Sequence, residues 1–500
     1  MKNLVLLFNG THSIAADMNK RCSLSLMALS AYLKQNAFNC KIINFDIKDF
    51  ELLPMLNEAL AVGMSVLTGT GIMVSLALAA RIRRLAPQLP VVWGGVHPTM
   101  ECEQSLAKPL VDYVVRGEGE ITFAELLQAL QNNDRDRLHS IPGLSFKEQG
   151  NQIHNPPRVA SDISAFPLLD YELYSRDCFQ DGIIPYISSR GCPYKCRFCC
   201  SASLNRVHGK RFMQMDIPRV ARDLDTIIDK YSPRAVYFFD DAFLMNRARI
   251  KEVIETFKTR RYAFEWYALS RCDVFAKLDD ETLSDLKEIH VKKLFLGVES
   301  ASPRILEYID KQIHREDVIA AVTKLAKHGI ETDFSFMNGF PGETRADVYE
   351  NLRLRREIKE ISPSATVTFS VYTPQPGTDL YAECMTKYNL PRKATLESWA
   401  DGYEYHTSRP GWLPFTHRNM INIIAWASFF DVIGVHSSIA LSSFGEFVLK
   451  LLRIDSRIRL NKFLLSFGLE YMILNCYTIR KTRRFLEQCR RTIMQNKNHF

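Results

Sequence analysis

Short hydrophobic runs alternate with helical patterns over the first 145 residues. Five of these runs are typical of buried strands, and apolar residues recur at helical spacing in Leu24–Leu33, Val74–Leu85 and Phe123–Gln131 between them. Strands that are separated by helices pair in parallel, so residues 1–145 are predicted to form a doubly wound α/β sheet. The predicted strands are Asn3–Phe8, Cys40–Phe45, Ala61–Leu67, Pro90–Trp93 and Val111–Val115.

The same alternation returns over residues 184–384, after a connector at 146–183. A hairpin of Leu144–Phe146 with Gln152–His154 is predicted where this connector starts. Six βα units of this length are predicted to wrap into a partial, TIM-type parallel barrel. In such barrels the functional groups lie at the carboxyl ends of the strands. The six predicted strands are Ile184–Ser188, Ala235–Phe239, Phe264–Leu269, Lys293–Val298, Thr332–Met337 and Thr366–Tyr372.

Residues 385–500 show no strand pattern and are predicted to form a helical region, first apolar and then basic. The apolar stretch Ile421–Phe444 contains Asp431 and His436, which a helix that caps the barrel tolerates better than lipid does. The next segment, Lys450–Lys462, alternates apolar residues with arginines, and an anionic membrane surface is its alternative partner. We expect the capping role, with weak membrane contact at most.

Composition and charge exclude several classes of protein. With 46% hydrophobic and 24% charged residues, the 500-residue chain is neither disordered nor a coiled coil. The net charge of +8 comes from the C-terminal tail, because Gly445–Phe500 holds twelve Lys and Arg against four Asp and Glu. The tail lacks the interleaved aromatic and basic residues of single-strand nucleic-acid binders, so no nucleic-acid partner is expected.

The role of the twelve cysteines depends on whether the protein is located in an oxidising or a reducing compartment. Met1–Phe8 has too short an apolar run for a secretory signal, and no small-residue cleavage site follows it. A cytoplasmic location is therefore predicted. In that compartment, clustered cysteines indicate metal binding or catalysis rather than disulfides.

Three cysteines cluster directly after the first predicted barrel strand. Cys192-x3-Cys196-x2-Cys199 puts three thiols on one loop, and iron–sulfur cubanes are bound by cysteine thiolates. Three ligands would leave one iron of a 4Fe-4S cluster open to a cofactor or substrate. The alternatives are a zinc site that His208 completes and a group of buried free thiols. Cys200 is expected to be a spare buried thiol, because adjacent cysteines bind one cubane awkwardly.

The cysteine spacing and four further strand-end motifs resemble those of the radical S-adenosylmethionine (SAM) enzymes. In that family the open iron binds the methionine part of SAM, and one electron from the cluster releases a 5′-deoxyadenosyl radical. The resemblance covers roughly residues 180–384. The further motifs are Asp240-Asp241-Ala242-Phe243, Gly297-Val298-Glu299-Ser300-Ala301-Ser302, Gly339-Phe340-Pro341-Gly342-Glu343-Thr344 and Pro374-Gln375-Pro376-Gly377-Thr378.

This resemblance implies a SAM site made of Phe198, Asp240, Asp241, Glu299 and Ser300. Phe198 would lie against the adenine, Glu299 would accept hydrogen bonds from SAM, and one of the two aspartates would receive its ammonium group. The residues alone leave other roles open: core packing for Phe198, and helix capping for Glu299 and one aspartate.

Adjacent glycines at a strand end, Gly94-Gly95, let a large flat ligand approach the backbone closely. This pair, Ser65-x-Leu67 and Gly117-Glu118-Gly119-Glu120 resemble motifs of the Rossmann-like cobalamin-binding domain that precedes the barrel in one class of radical SAM enzymes. In that class the Ser-x-Leu and Gly-Gly elements line the pocket for the dimethylbenzimidazole tail. The resemblance therefore implies that residues 1–145 bind cobalamin.

The sequence departs from this pattern at the histidine that binds cobalt. Cobalamin domains with a cobalt ligand carry Asp-x-His-x-x-Gly after the first strand, and both flanking residues are missing around His12. Cobalamin is therefore expected to bind without a protein imidazole on cobalt. His97, which lies beside the glycine pair in the sequence, is expected to be structural.

The resemblances together imply a cobalamin-dependent radical SAM enzyme, with methylation of an unactivated carbon as the predicted activity. A cyclase, oxidase or rearrangement enzyme with the same cofactors, and a non-catalytic cobalamin or iron–sulfur sensor, are the alternatives. The expected partners are a small, natural-product-like substrate and an electron donor such as flavodoxin or ferredoxin. The sequence assigns neither the substrate nor a catalytic residue.

Overall fold

The computed structural model describes residues 2–10, 22–209, 212–400 and 410–436, together with 454, 456, 459–462, 483–484 and 486–495 of the tail. Within these residues the chain forms two large α/β sheets, one after the other; the first is mainly parallel and the second entirely parallel. Their strand ends supply the residues of the candidate site, as the sequence predicts.

The first sheet has the order β2-β1-β3-β4-β5-β6-β7, in which β1 to β5 are parallel and β6–β7 is an antiparallel hairpin on β5. Each of the five strands predicted over residues 1–145 overlaps an observed one. The strands are β1 Leu4–Gly10, β2 Asn39–Ile42, β3 Ala59–Val66, β4 Val91–Gly94, β5 Tyr113–Val115, β6 Leu144–Glu148 and β7 Asn151–His154. The helices are α1 Leu24–Gln35, α2 Asp49–Glu58, α3 Thr70–Leu85, α4 Val96–Met100, α5 Cys102–Leu106, α6 Glu120–Gln131 and α7 Arg135–Leu138.

The uncharged stretch from Ala59 to Ala80 is the strand β3 and most of the helix α3, both largely buried. Its apolar character is explained by burial inside the protein, because α3 packs between the sheet and the segment Leu396–Ala400. Among the described helices, none is both long and apolar enough to cross a membrane.

The second sheet has six parallel strands in the order β15-β14-β13-β12-β11-β8, which confirms the predicted partial barrel. A small antiparallel pair, β9–β10, lies beside it. The strands are β8 Ile183–Tyr186, β9 Ser189–Gly191, β10 Phe212–Gln214, β11 Ala235–Phe238, β12 Glu265–Ser270, β13 Val291–Glu299, β14 Glu331–Asn338 and β15 Thr366–Val371. The helices are α8 Cys200–His208, α9 Ile217–Tyr231, α10 Arg247–Arg260, α11 Cys272–Ala276, α12 Asp280–Glu288, α13 Pro303–Tyr308, α14 Arg315–Lys327, α15 Arg345–Ile361 and α16 Asp379–Lys387.

The helix α17, Phe415–His436, packs against the last barrel strand, β15. Ser428 accepts a hydrogen bond at 2.9 Å from the backbone N–H of Phe369 in β15. Asp431 forms a buried ion pair with Arg355 of α15 at 2.9 Å. The described part of Ile421–Phe444 thus covers the barrel. Most of Lys450–Lys462, and residues 480–482 of the basic run at 480–484, lie outside the described residues.

Candidate functional site

A cavity of about 430 Å³ lies where the carboxyl ends of the two sheets meet, and its lining is mainly apolar. One wall comes from the first sheet and its loops, the other from the start of the barrel. The first wall includes Ser65, Gly94, Gly95, Gly117, Glu118, Gly119 and Glu120, and the second includes Arg190, Gly191, Cys200, Ser201, Phe239 and Asp241. The structure therefore brings most of the predicted cobalamin residues to the loop that carries the cysteines.

The parallel register explains the first wall. Ser65 of β3 pairs with Gly94 of β4, so the two predicted elements lie side by side at the same edge of the sheet. Gly95 has φ +97°, and a Cβ there would lie 3.1 Å from the backbone of Val66. Only glycine fits this turn, and it leaves the backbone open toward the cavity. Leu67 is exposed and does not line the cavity, so it lies apart from the rest of this set.

His97 is fully buried, with its Nδ1 3.0 Å from Thr68 Oγ1 and its ring against Trp399. Burial lowers the pKa of His97 to about 3, so the imidazole is neutral at ordinary pH. These contacts agree with the expected structural role. His12 lies outside the described residues.

The Gly-Glu-Gly-Glu run and the cysteine loop are joined by ionic contacts. Arg190, two residues before Cys192, donates to Glu120 at 2.5 Å and lies 3.6 Å from Glu118. Its guanidinium also lies over the ring of Phe166. Glu120 is only 5% exposed, so Arg190 offsets a negative charge that lies away from water.

The three predicted cluster cysteines lie on the loop between β9 and α8, which is fastened at both ends. The backbone N–H of Arg197 donates to Ile309 at 3.0 Å, and Asn205 donates to the carbonyl of Cys192 at 2.7 Å. Arg271 stacks on the ring of Tyr194, with its guanidinium carbon 3.6 Å from the ring centre. These contacts hold the loop at the barrel mouth.

The loop thiols differ in their acidity. Burial raises the pKa of Cys196 to about 11 and also raises that of Cys192, whereas a hydrogen bond from Cys200 lowers the pKa of Cys199 to about 6. Among the described side chains, no three His, Cys, Asp or Glu residues converge closely enough to hold a single metal ion. A cubane binds each thiolate at a different iron, so it has no such requirement. The His208 side chain lies outside those described.

The two aspartates after β11 have different surroundings. Asp240 is fully buried and accepts hydrogen bonds from the backbone N–H of Ser188 at 3.0 Å and from the hydroxyls of Ser188 and Ser189. Asp241 lines the cavity and accepts one from Ser201 at 2.7 Å. The expectation that one aspartate caps the following helix is wrong, because the Asn246 side chain caps α10.

Glu299 ends β13 in the left-handed region, with φ +66°, and is buried against Lys311 at 3.0 Å. A Cβ on Gly297 would lie 2.6 Å from the Glu299 carboxylate, so this glycine makes room for the ion pair. Ser300 contacts Asn351 at 3.2 Å behind the strand end. Glu299 is not a helix cap, since α13 begins after Ser302 and the carboxylate faces Lys311.

The glycine-rich turn after β14 packs against the cysteine loop. Phe340 lies 5.8 Å from the ring of Phe198 and stacks on Tyr372. Glu343 is buried, accepts a hydrogen bond from the N–H of Gly339 at 2.7 Å and lies 3.3 Å from His417 of α17. Phe198 therefore has a packing partner in Phe340. The contact of its ring with the adenine of SAM stays a prediction.

Residues 186–355 match the family model of the radical SAM superfamily. These residues therefore form a radical SAM domain. Residues 21–127 match the model of the B12 binding domain, so the predicted combination of radical SAM and cobalamin-binding domains is confirmed. The predicted cofactors of this radical SAM chain, a 4Fe-4S cluster, SAM and cobalamin, are confirmed by the same two matches.

An uncharacterized methyltransferase of Pyrococcus horikoshii is 36% identical over 296 residues, which cover 58% of this chain and 62% of that protein. The anaerobic magnesium-protoporphyrin IX monomethyl ester cyclase of Synechocystis is 24% identical over 349 residues, 69% of this chain and 68% of that protein. The solved structure of the cobalamin-dependent SAM radical enzyme OxsB has a TM-score of 0.68 at 17% identity, and the match covers 99% of this chain and 84% of that one. That likeness shows a shared fold.

Several features of the described site suit these cofactors. Asp240 Oδ2 is buried and accepts no hydrogen bond from the described residues, so it is able to receive a donor such as an ammonium group. The Gly95 turn leaves backbone open beside a large apolar cavity, which suits a flat macrocycle. Three thiols on one loop suit a cubane.

Sequence reasoning missed three cations that lie near the cysteine loop but outside it. Arg190 pairs with Glu120, Arg271 stacks on Tyr194, and Lys311 pairs with Glu299. Arg190 carried the only local signal, its place directly before Gly191-Cys192. The other two lie far along the chain from the cysteines, so only the fold shows their proximity.

Proposed function

We propose that the protein is a cobalamin-dependent radical SAM methyltransferase that acts on an unactivated carbon of a small molecule. One observation carries this proposal: the glycine-lined end of the B12-binding domain and the residues that flank the cysteine loop, Gly191 and Cys200, line the same cavity. A methyl donor held against the first wall and a radical source held on the adjoining cysteine loop would thus lie beside one cavity.

The residues of this chain have positioning roles in that space. Cys192, Cys196 and Cys199 hold the cluster, and the backbone beside Ser65, Gly94, Gly95, Gly117 and Gly119 cradles cobalamin. Asp240, Asp241, Glu299, Ser300 and Phe198 surround SAM. When bound, these cofactors supply a 5′-deoxyadenosyl radical and a transferable methyl group.

The protein controls this chemistry through burial and charge. The mainly apolar lining keeps water from a reactive carbon centre. Lys311 holds the Glu299 carboxylate in one orientation, and the three hydrogen bonds to Asp240 Oδ1 leave its other oxygen for a ligand. Because these groups are already held in position, no free energy is needed to reorient them during the reaction.

A cyclase that uses the same cofactors is the second candidate function. The cyclase of Synechocystis matches over 69% of this chain, a larger share than the methyltransferase relative does. The two candidates differ in the fate of SAM, since methyl transfer converts one SAM into S-adenosylhomocysteine and cyclisation does not.

Anaerobic reconstitution with iron, sulfide and cobalamin, followed by mass spectrometry of the SAM products, tests the proposal. We expect both S-adenosylhomocysteine and 5′-deoxyadenosine. Cys199→Ala should lose the cluster absorbance and 5′-deoxyadenosine, whereas the neighbouring Cys200→Ala should retain both. Formation of 5′-deoxyadenosine alone by the wild type would favour the cyclase, and no SAM cleavage would leave a sensor.

The proposal extends to a flavodoxin or ferredoxin as the source of the electron and to a cytoplasmic location. The described cysteines form no disulfide with one another, which suits a reducing compartment. Reduction of the reconstituted cluster by a purified flavodoxin, followed by optical spectroscopy, checks the first point.

A further inference from the structure

The inner face of the barrel carries a row of aromatic side chains. Phe238 and Trp266 pack outward against Phe257 of α10. Because successive residues of a strand point to opposite faces, Tyr237 and Tyr267 point into the barrel. Phe239 continues this ladder with a hydrogen bond from its N–H to Tyr186.

Three of the inward rings form a stack that ends at the cavity. Phe295 lies 5.3 Å from Tyr237 with an interplanar angle of 17°, and Tyr237 lies 4.0 Å from Phe239 at 32°. Tyr267 borders the stack at 5.9 Å from Tyr237. Phe239 is 44% exposed and lines the cavity beside Asp241. The stack therefore presents an open ring at the barrel mouth.

The opposite inner wall carries hydroxyl groups instead of rings. Ser335 of β14 pairs in register with Thr368 of β15, and Ser335 is exposed although it lies mid-strand. Deeper in the barrel, Lys293 and Asp333 lie 3.6 Å apart, so their charges offset each other. The inner surface thus has an aromatic side, a hydroxyl side and a neutralised floor.

We propose that the substrate contains an uncharged aromatic ring that stacks on Phe239 and directs its polar groups toward Ser335 and Thr368. Offset stacking of a further ring would continue the Phe295–Tyr237–Phe239 stack and cover the exposed face of Phe239. The neutralised floor disfavours a substrate with a charged ring. This inference rests on the proposed function, because it takes the barrel interior as the substrate chamber.

Binding of two matched probes to the cobalamin-loaded, reconstituted protein tests the inference without catalysis. 2-Naphthol and decahydro-2-naphthol share a hydroxyl and a two-ring skeleton, but only the first is aromatic. Saturation-transfer NMR titrations should show that 2-naphthol binds about fivefold more tightly, which matches the energy of one stacked pair. Phe239→Leu should remove this preference while it keeps an apolar side chain of similar reach.

Phe415→Leu is the matched control, because Phe415 is an exposed phenylalanine at the start of α17 and does not line the cavity. It should keep the full preference for 2-naphthol. Equal binding of the two probes to the wild type, or an unchanged preference in Phe239→Leu, would overturn the inference. Loss of the corrin absorbance in Phe239→Leu would do the same, since cobalamin would then cover this ring. Probe binding without SAM cleavage would refute the proposed function alone.

Discussion

At the residue scale, the predicted SAM-binding groups depend on neighbours that fix their charge or orientation. Glu299 faces Lys311, Asp240 receives hydroxyl groups, and Gly297 leaves the room that the Glu299 side chain needs. Each of these partners belongs to a different strand end or loop. The sequence motifs identify the acidic residues. Their contacts with Lys311 and with the serine hydroxyl groups are visible only in the folded barrel.

His97 gives a prediction at this scale. Burial lowers its pKa to about 3, while an unfolded histidine titrates near 6.5. Between these values the unfolded chain binds a proton that the folded protein does not, so stability should fall as the pH drops below about 6.5. The loss should approach ~1.4 kcal/mol per pH unit. Urea unfolding at pH 7.5 and 5.0 should show this dependence, and His97→Gln should lack that part of it.

The matched control for this prediction is His139→Gln, at a half-exposed histidine of the same domain. It makes the same His-to-Gln exchange at a side chain that is 47% exposed, so it measures the effect of the exchange at a position that is not buried. Equal slopes for wild type and His97→Gln would show that His97 is able to gain a proton in the folded protein.

At the element scale, the strands could be predicted because parallel strands are buried on both faces and form continuous apolar runs. The six predicted barrel strands each overlap an observed one. The pair β9–β10 was not predicted, since three-residue strands such as Phe212–Gln214 are too short to show a pattern. Nor does the sequence show that α17 covers β15, because an apolar helix gives no sign of which surface it packs against.

Substitutions in the ion pair between Arg355 and Asp431 test whether α17 packs against the barrel. The two side chains are 2% and 9% exposed, and Arg355 also donates to Asn461 at 2.7 Å. Asp431→Asn would leave a buried cation without its anion, so the free energy of unfolding should fall by about 3 kcal/mol. Glu350→Gln removes the partner of Arg353 in an exposed pair on the same helix, α15, and should change stability by less than ~1 kcal/mol. Similar urea midpoints for the two variants would place α17 elsewhere.

At the scale of the whole molecule, buried ionic contacts join the two domains, and neither domain alone supplies both signs of charge. Glu118 lies in the loop after β5, and Glu120 is the first residue of α6. Arg190 lies in β9, directly before the cysteine loop of the barrel. The Gly-Glu-Gly-Glu run was assigned no side-chain role from sequence, since its partner lies 70 residues away. In the structure the two acidic residues hold the cobalamin wall against the radical SAM wall.

Arg190 and Glu120 should therefore act as a coupled pair. Arg190→Gln leaves Glu120 buried without its cation, so it should both destabilise the protein and speed the loss of cobalamin from the cavity. Glu120→Gln should have similar effects. The double variant removes both charges together. Its loss of unfolding free energy should therefore be smaller than the sum of the two single losses by about 1 kcal/mol or more. Urea unfolding and the decay of corrin absorbance after gel filtration measure the two effects. Strictly additive losses would mean that the domains are held together by their apolar contacts, and that the ion pair does no more than satisfy two buried charges.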